Sequence, residues 1–319
     1  MANLIPDDID FDAYLKETDA QTNVRPASAY IPQMKKRMRE MAQEKKLYLP
    51  WMKTRENFYF RPGEMTIYAG QNGHGKSQLT AQVALHLMSQ GEKVCMASFE
   101  MKPMQTIRLF SRMFIGTNPY SAEFQNEEGY AALDDLFDQF GNWSDNKLWI
   151  YDQLGTTNPN TVIGMTRYCA KELGVKHIFI DSLMKVVGAE DDMNGQKLFV
   201  GELFALAKDL QVHIHLIHHL RKPKDEHQLP DKHDSKGSGS ITDQVDNIFM
   251  VWRNKGKEED SRANGQFGNK ADEPDSLLLC RKQRHYEGSG DGEPTIPLWI
   301  HKDSGQFIGT PTESPTTYG

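Results

Sequence analysis

The chain has 319 residues, enough for one large α/β domain with a buried core and short appendages. Its formal net charge of -7 repels nucleic acid overall, so any such binding has to come from local basic clusters. The three cysteines, Cys95, Cys169 and Cys280, lack the spacing of metal ligands, which predicts reduced, buried thiols. With no apolar run near membrane-span length and no signal-peptide pattern, we expect a cytoplasmic protein without a membrane partner.

The N-terminal segment divides into two predicted parts. Residues 1–28 are acidic, polar and interrupted by proline, which is typical of a flexible arm. Residues 29–49 predict a basic amphipathic helix, since apolar side chains recur at intervals of three or four among lysines and arginines. Those apolar residues are Ile31, Met34, Met38 and Met41. The helix could pack on its own domain or dock on a neighbouring subunit, and both interpretations stay open.

Residues 70–77 match the complete phosphate-loop pattern G-x-x-x-x-G-K-[ST]. A strand-like run (63–69) precedes the loop and a helical run (78–88) follows it, as the pattern requires. Backbone N–H groups can then surround phosphate, Lys76 can reach the β- and γ-phosphates, and Ser77 can bind Mg²⁺. The predicted nucleotide-binding residues here are Gly70, Asn72, Gly73, Gly75, Lys76, Ser77 and Gln78.

Three further buried strands are predicted over residues 93–99, 147–152 and 177–182. The first is followed by Glu100 and the third carries Asp181 near its end, so both carboxylates can lie beside the phosphate loop. Helices are predicted over 103–115 and about 160–172, and residues 116–146 are polar and aromatic with loops. The sequence thus predicts strands that alternate with helices in the first half of the chain.

A helix ending at Leu210, with Leu198 and Leu203 toward the core, precedes a strand over 212–219. That strand carries four histidines. We reject a zinc site, because His213 and His215 share one strand face without a nearby cysteine or His-Glu motif.

The last third predicts a basic loop (221–240), a strand (246–253), a long loop (254–274), and strands near 277–284 and 295–300. Residues 307–319 are expected to form a flexible tail. The order predicts an α/β fold over residues 50–306: a RecA-like P-loop ATPase core with a mostly parallel sheet flanked by helices and C-terminal antiparallel hairpins.

These landmarks resemble the RecA-like motor domain of hexameric replicative DNA helicases, both the DnaB type and the phage or mitochondrial primase-helicase type. The resemblance runs from about residue 50 to about residue 305 and keeps the family's order. It implies that residues 70–77 form the Walker A loop and that Glu100 polarises the attacking water. It also implies that Asp181 partners Mg²⁺ and that His219 senses the γ-phosphate, with His218 on the opposite face.

The resemblance also implies residues that act between subunits. Lys282 and Arg284 resemble the Lys-x-Arg pair that reaches across an interface as an arginine finger, worth about 10³–10⁵ in rate. A basic strand end facing solvent is the alternative. Gln244 would link the γ-phosphate to a DNA-facing loop, and Arg253 resembles a residue that flanks adenine.

Single-stranded DNA would be held by loops corresponding to about 186–196, 221–240 and 254–272. The first loop is acidic, so we leave it out of the DNA site. The predicted phosphate contacts are Arg221, Lys222, Lys224, Lys236, Gly237 and Ser238. The alternative is an exposed polar loop without a DNA role.

The function expected from the resemblance is a ring-forming, hexameric, ATP-dependent DNA helicase that uses ATP or another nucleoside triphosphate with Mg²⁺. Only about 50 residues precede the motor, so a separate primase, polymerase or loader is expected, and a phage or plasmid origin would place the protein in the host cytoplasm. The alternative is a RecA-like, DNA-dependent ATPase that acts in recombination or as a clamp without unwinding. A binding protein with a dead nucleotide site is disfavoured, because Lys76, Glu100 and Asp181 are all present.

Overall fold

The computed structural model describes residues 3–4, 27–41, 45–187, 192–220, 229–230, 239–265, 268–286 and 293–318. Its described strands form one ten-stranded sheet in the order β1-β4-β3-β5-β6-β2-β7-β8-β9-β10. The strands are β1 (Asn3–Leu4), β2 (Met65–Gly70), β3 (Val94–Ser98), β4 (Leu148–Tyr151), β5 (His177–Asp181), β6 (His213–His219), β7 (Asn247–Arg253), β8 (Ser276–Gln283), β9 (Thr295–Ile300) and β10 (Phe307–Ile308).

The described α-helices follow the strands in alternation through most of the chain. They are α1 (Ile31–Met41), α2 (Lys76–Ser89), α3 (Pro103–Ile115), α4 (Glu127–Ser144), α5 (Pro159–Lys171), α6 (Leu183–Val186), α7 (Met193–Leu210), α8 (Gly239–Thr242) and α9 (Lys255–Asn264). The predicted α/β class and the helices over 103–115 and 160–172 are confirmed.

The sheet is parallel from β1 to β7 and antiparallel from β7 to β10. Strands β2 to β5 are buried along their whole length, which explains their continuous apolar sequences. The carboxyl ends of β2, β3, β5 and β6 therefore meet at one edge, which is where parallel α/β sheets bind ligands.

Hydrophobic cores lie on both faces of the sheet because side chains alternate along each strand. In β2, Ile67 joins one core and Tyr68 joins the other. All three cysteines are buried, as predicted, and the sulfur atoms of Cys95 and Cys169 lie 3.7 Å apart. Among the described residues, no helix combines the length and apolar character needed to cross a bilayer.

Two helices occupy stretches that were predicted to be loops. Helix α4 begins after Asn126, whose side chain accepts a bond from the Gly129 N–H (2.8 Å). Helix α9 begins after Asn254, whose side chain accepts a bond from the Lys257 N–H (3.0 Å). The apolar residues Tyr130, Leu133, Phe137 and Phe140 recur at intervals of three or four along α4, so the sequence carried a helical signal that the prediction did not use. Helix α9 is short and almost wholly polar, and it lacks an apolar stripe.

The C-terminal segment was predicted to be a flexible tail from residue 307, and the structure contradicts this. Strand β10 pairs with β9, and the side chain of Gln82 both donates to and accepts from the backbone of Phe307 (2.8 and 2.7 Å). Gln306 bonds to the backbone of Thr316 in the same way, and Tyr318 is 3% exposed. Two buried glutamines thus supply the backbone partners that an isolated tail would lack.

Three smaller differences concern the N-terminus and helix α7. Residues 3–4, within the predicted arm, form an edge strand beside β4. Helix α1 covers Ile31–Met41, less than the predicted 29–49. Leu198 was expected in the core but is 69% exposed, whereas Leu203 is fully buried.

Candidate active site

The phosphate loop connects the end of β2 to the start of α2, as predicted. Two of its glycines are required by the geometry. A Cβ at Gly70 would lie 2.6 Å from the carbonyl oxygen of Val251, and Gly75 has a left-handed backbone (φ +85) against the ring of Phe307. The loop therefore packs directly on β7 and β10.

Lys76 lies inside this loop and is 5% exposed. Its ammonium donates to the carbonyl oxygens of Gly70 (2.9 Å) and Gln71 (2.8 Å). Burial lowers the pKa of Lys76 to about 8, against the opposing effect of Asp181 and Glu100. A bound triphosphate would favour the charged ammonium at this position.

Ser77 and Asp181 meet at the carboxyl edge of the sheet. The Ser77 hydroxyl donates to Asp181 Oδ2 (2.9 Å), and Asp181 is 3% exposed at the end of β5. Burial raises the pKa of Asp181. A hydroxyl beside a carboxylate fits Mg²⁺, which prefers a few protein oxygens supplemented by phosphate and water.

Glu100 lies next to this pair, two residues after the end of β3. Its Oε1 atom is 3.3 Å from His219 Nε2 and accepts a bond from the Ser182 hydroxyl (3.0 Å). His219, followed by Ser182, holds the pKa of Glu100 at about 2 despite partial burial. Glu100 is therefore ionised at neutral pH, and Glu100, Asp181 and His219 place ligand atoms within 4.8 Å of one another.

His219 ends β6 and lies in register with Gly70 of the phosphate loop. Successive strand residues face opposite sides. The neighbouring His218 is buried, and burial lowers its pKa to about 4.

The other strand histidines, His213 and His215, are core residues. His213 bonds to the Thr66 hydroxyl (2.8 Å) and to the Arg61 carbonyl oxygen (2.8 Å). His215 lies 3.1 Å from a ring nitrogen of His177. In the described part of the chain, Glu100, Asp181 and His219 form the one cluster with metal-binding spacing.

Residues 58–290 match the family model of the DnaB-like helicase C-terminal domain, which covers well over half of the chain. The chain belongs to this family. It is therefore an ATP-hydrolysing DNA helicase of the replicative type with a RecA-like core.

Two solved structures share the fold. One is described as an ATPase domain; at 17% sequence identity it superposes with a TM-score of 0.68 over 88% of this chain and 98% of that chain. The other is a DnaB-like replicative helicase studied with its interactions with primase; it is also 17% identical, with a TM-score of 0.66 over 89% of this chain and 67% of that chain.

Beside the phosphate loop of this DnaB-like helicase lies a cavity of about 240 Å³. Arg253 lines it and donates to the Gly73 carbonyl oxygen (3.0 Å), while its guanidinium pairs with Glu258. Arg112 and Phe307 also line the cavity, and the sequence analysis did not predict them as site residues. The cavity borders the phosphate loop at His74, Gly75 and Gln78. The base-flanking role of Arg253 stays a prediction.

The structure does not bring Lys282, Arg284 and Gln244 to the phosphate loop of their own chain. Arg284 follows β8 and bonds to Asp246, next to the start of β2. At about 3.3 Å per residue, the two ends of β2 lie roughly 16 Å apart. The side chain of Gln244 lies against α7, where a Cβ on Gly201 would approach its Oε1 to 2.9 Å.

The six predicted DNA contacts, Arg221, Lys222, Lys224, Lys236, Gly237 and Ser238, lie outside the described residues. The described residues that flank them are informative. The Leu220 N–H donates to the Gly70 carbonyl oxygen (3.1 Å), so the chain just after β6 lies beside the phosphate loop as far as Leu220. The predicted third loop, 254–272, instead contains α9.

Proposed function

We propose that this DnaB-like helicase is a ring-forming motor that translocates on single-stranded DNA and unwinds duplex with Mg·ATP. The observation that carries the proposal is the division of the site between the two ends of the parallel strands, the carboxyl ends and the amino ends. Lys76, Ser77, Glu100 and Asp181 lie at one edge, and the predicted finger Arg284 lies at the other. A subunit arranged in this way needs a neighbour to complete its site.

Each residue at the loop edge has a distinct task in the proposal. Lys76 and the loop amides bind the β- and γ-phosphates, and Ser77 and Asp181 hold Mg²⁺. When bound, Mg²⁺ supplies neutralisation of the developing phosphate charge. Glu100 orients a water and takes its proton as the oxygen attacks the γ-phosphorus and the bond to the β-phosphate oxygen breaks. His219, which contacts Glu100, responds to the presence of the γ-phosphate.

The opposite edge supplies the cations for the neighbouring site. Arg284 is 36% exposed, and Lys282 lies beside it, donating to the Thr242 carbonyl oxygen (2.7 Å). Both cations therefore border the turn that precedes Gln244. This arrangement supports a route by which Gln244 and the DNA-binding segment respond to the finger.

DNA binding is proposed for the basic segment within 221–240. Replacing Lys222 and Lys224 together with alanine should weaken binding of single-stranded DNA at all sequences. Each phosphate contact contributes about 0.7 to the salt slope on single strands, so the slope should fall by about 1.4. Fluorescence anisotropy across a salt series measures this.

The control is Lys102→Ala plus Lys171→Ala, which removes two exposed lysines elsewhere on the surface. Its DNA affinity should match that of the unmodified protein. An unchanged slope in the Lys222/Lys224 variant would place the DNA site elsewhere.

Ring assembly is proposed to use helix α1. Its apolar residues Ile31, Met34 and Met38 are 50%, 55% and 61% exposed in the described part of the chain. Helix α4 offers a complementary surface of exposed Tyr130 and Phe137 among acidic side chains. A basic apolar helix of one subunit and an acidic apolar helix of the next match in charge and in character.

Replacing Met34 and Met38 with serine should therefore reduce the mass of the assembly, measured by light scattering at several protein concentrations. Met52→Ser, at a methionine that is 63% exposed outside α1, is the matched control and should leave the mass unchanged. An assembly of normal mass in the double variant would contradict docking through α1.

The function itself is tested by displacement of one strand from a forked DNA duplex with Mg·ATP. We expect displacement by the unmodified protein and none by Lys76→Ala, which lacks the phosphate-binding cation. DNA-stimulated hydrolysis without displacement would favour a RecA-like clamp or filament. The partners that we propose for the replication reaction are a separate primase, polymerase or loader.

A further inference from the structure

We propose that Asp246 is the positioning residue that holds Arg284 in place for the neighbouring subunit's phosphates. This inference rests on the proposed trans role of Arg284. Asp246 is fully buried between β2 and the end of β8, and its side chain touches no residue of the phosphate loop of its own chain in the contacts described.

The carboxylate of Asp246 connects the finger to the centre of the sheet. Its Oδ1 atom accepts a bond from Arg284 Nη1 (3.1 Å), and its Oδ2 atom accepts one from the Met65 N–H (3.0 Å). The backbone repeats the connection, because the Arg284 N–H donates to the Asp246 carbonyl oxygen (2.9 Å) and the Asp246 N–H donates to that of Met65 (3.1 Å). Arg284 is thus anchored to the first residue of β2.

The hydrogen bonds to the guanidinium use only some of its N–H groups, as an arginine finger requires. A second bond runs from Arg284 Nη2 to the Asp243 carbonyl oxygen (3.0 Å). A guanidinium has five N–H donors, so these two bonds leave others for phosphate oxygens. The ring of Phe204 lies 5.4 Å from the guanidinium carbon and restricts it from a further side.

Further charged and polar groups lie around Asp246. Glu64 is buried nearby and bonds to Asn247, and the His285 ring is 3.8 Å from Asp246 Oδ1. A buried ion pair is often no more stabilising than apolar residues of the same volume. Placing one partner at 36% exposure, next to a second cation, Lys282, is better explained by presentation of Arg284 at a surface.

The test is Asp246→Asn. Asp246 uses a different oxygen for each of the two donors, and asparagine has an oxygen at only one of these positions, so its NH2 group faces either the Met65 N–H or the Arg284 guanidinium. We expect kcat for ATP hydrolysis to fall by about 10- to 100-fold, the range for loss of a hydrogen bond to a charged group. The KM for ATP should change little, because Lys76 of another subunit binds the nucleotide. Asp209→Asn, an exposed carboxylate on α7, is the matched control.

Mixed assemblies separate positioning from general damage. A Lys76→Ala subunit has a dead site but an intact finger, so mixing it with Asp246→Asn subunits should restore hydrolysis at their intact sites. Mixing Asp246→Asn with Arg284→Ala should restore nothing, because every finger is then defective. If Asp246→Asn does not assemble, Asp246→Glu, which displaces the charge by one methylene, is carried through the same mixtures.

The two proposals fail in different ways. If Arg284→Ala mixed with Lys76→Ala gains no activity, the trans finger itself is wrong. If that mixture gains activity but neither Asp246 variant does, Arg284 acts in trans and Asp246 does not position it. An Asp246→Asn protein with unchanged kcat would also overturn the inference.

Discussion

Replacing Arg284 with alanine should lower kcat for ATP hydrolysis by about 10³-fold or more, the range for arginine fingers, while the affinity for ATP stays nearly constant. The reason is geometric. Arg284 lies at the start of β2, whereas Lys76 follows the end of β2, so Arg284 cannot act on the nucleotide that its own loop binds. Steady-state hydrolysis on single-stranded DNA and equilibrium binding of a fluorescent ATP analogue measure the two effects separately.

Arg281→Ala is the matched control, because Arg281 lies three residues earlier and outside the bonds to Asp246 and Asp243. It should retain hydrolysis near the unmodified level. Loss of Arg284 also leaves the buried Asp246 carboxylate without its cation, so the thermal midpoint and assembly mass have to be recorded for both variants. Full hydrolysis in an assembled Arg284→Ala protein would contradict the finger and favour the alternative, in which Lys282 and Arg284 form a basic strand end that faces solvent.

The sequence predicted the central features because their signals are local. The phosphate loop is a contiguous pattern, and Glu100 and Asp181 each end a short apolar strand, so the parallel order of the sheet brings them together. His219 follows from the same rule, since β6 pairs with β2 in register. The positions of these residues needed only strand direction and strand ends, whereas their roles were implied by the family resemblance and stay predictions.

The features that were missed depend on contacts between distant parts of the chain. Phe307 lines the cavity beside the loop because Gln82 bonds to its backbone, 225 positions apart, and no local pattern marks that pairing. Helix α4 is an exception, because its cap at Asn126 and its apolar residues at intervals of three or four are local signals that the prediction did not use. Leu198 fits a helical pattern yet is exposed, because periodicity alone does not reveal which surface a neighbour covers.

Glu100→Gln should reduce kcat for ATP hydrolysis by about 10²–10⁴-fold, the range for loss of a general base, and should abolish strand displacement. ATP binding should persist, because Lys76, Ser77 and Asp181 remain. The glutamine keeps an oxygen for the Ser182 hydroxyl but lacks the charge that His219 faces. Rapid-quench hydrolysis and the forked-duplex assay provide the measurements, with the exposed Glu172→Gln as the control.

The pH dependence of ATP hydrolysis is a second, independent test of the role of Glu100. The pKa of Glu100 is held at about 2, so its carboxylate persists as pH falls and is lost only as pH approaches that value. Hydrolysis by the unmodified protein should therefore show no acid limb from Glu100 between pH 7 and about 5. Because His219 is the largest cause of the low pKa, removing its ring should move the acid limb of Glu100 upward toward the ordinary carboxylate range.

A Glu100→Gln protein that kept the rate of the unmodified protein would show that another group activates the water, and that the contacts of Glu100 with Ser182 and His219 serve structure alone.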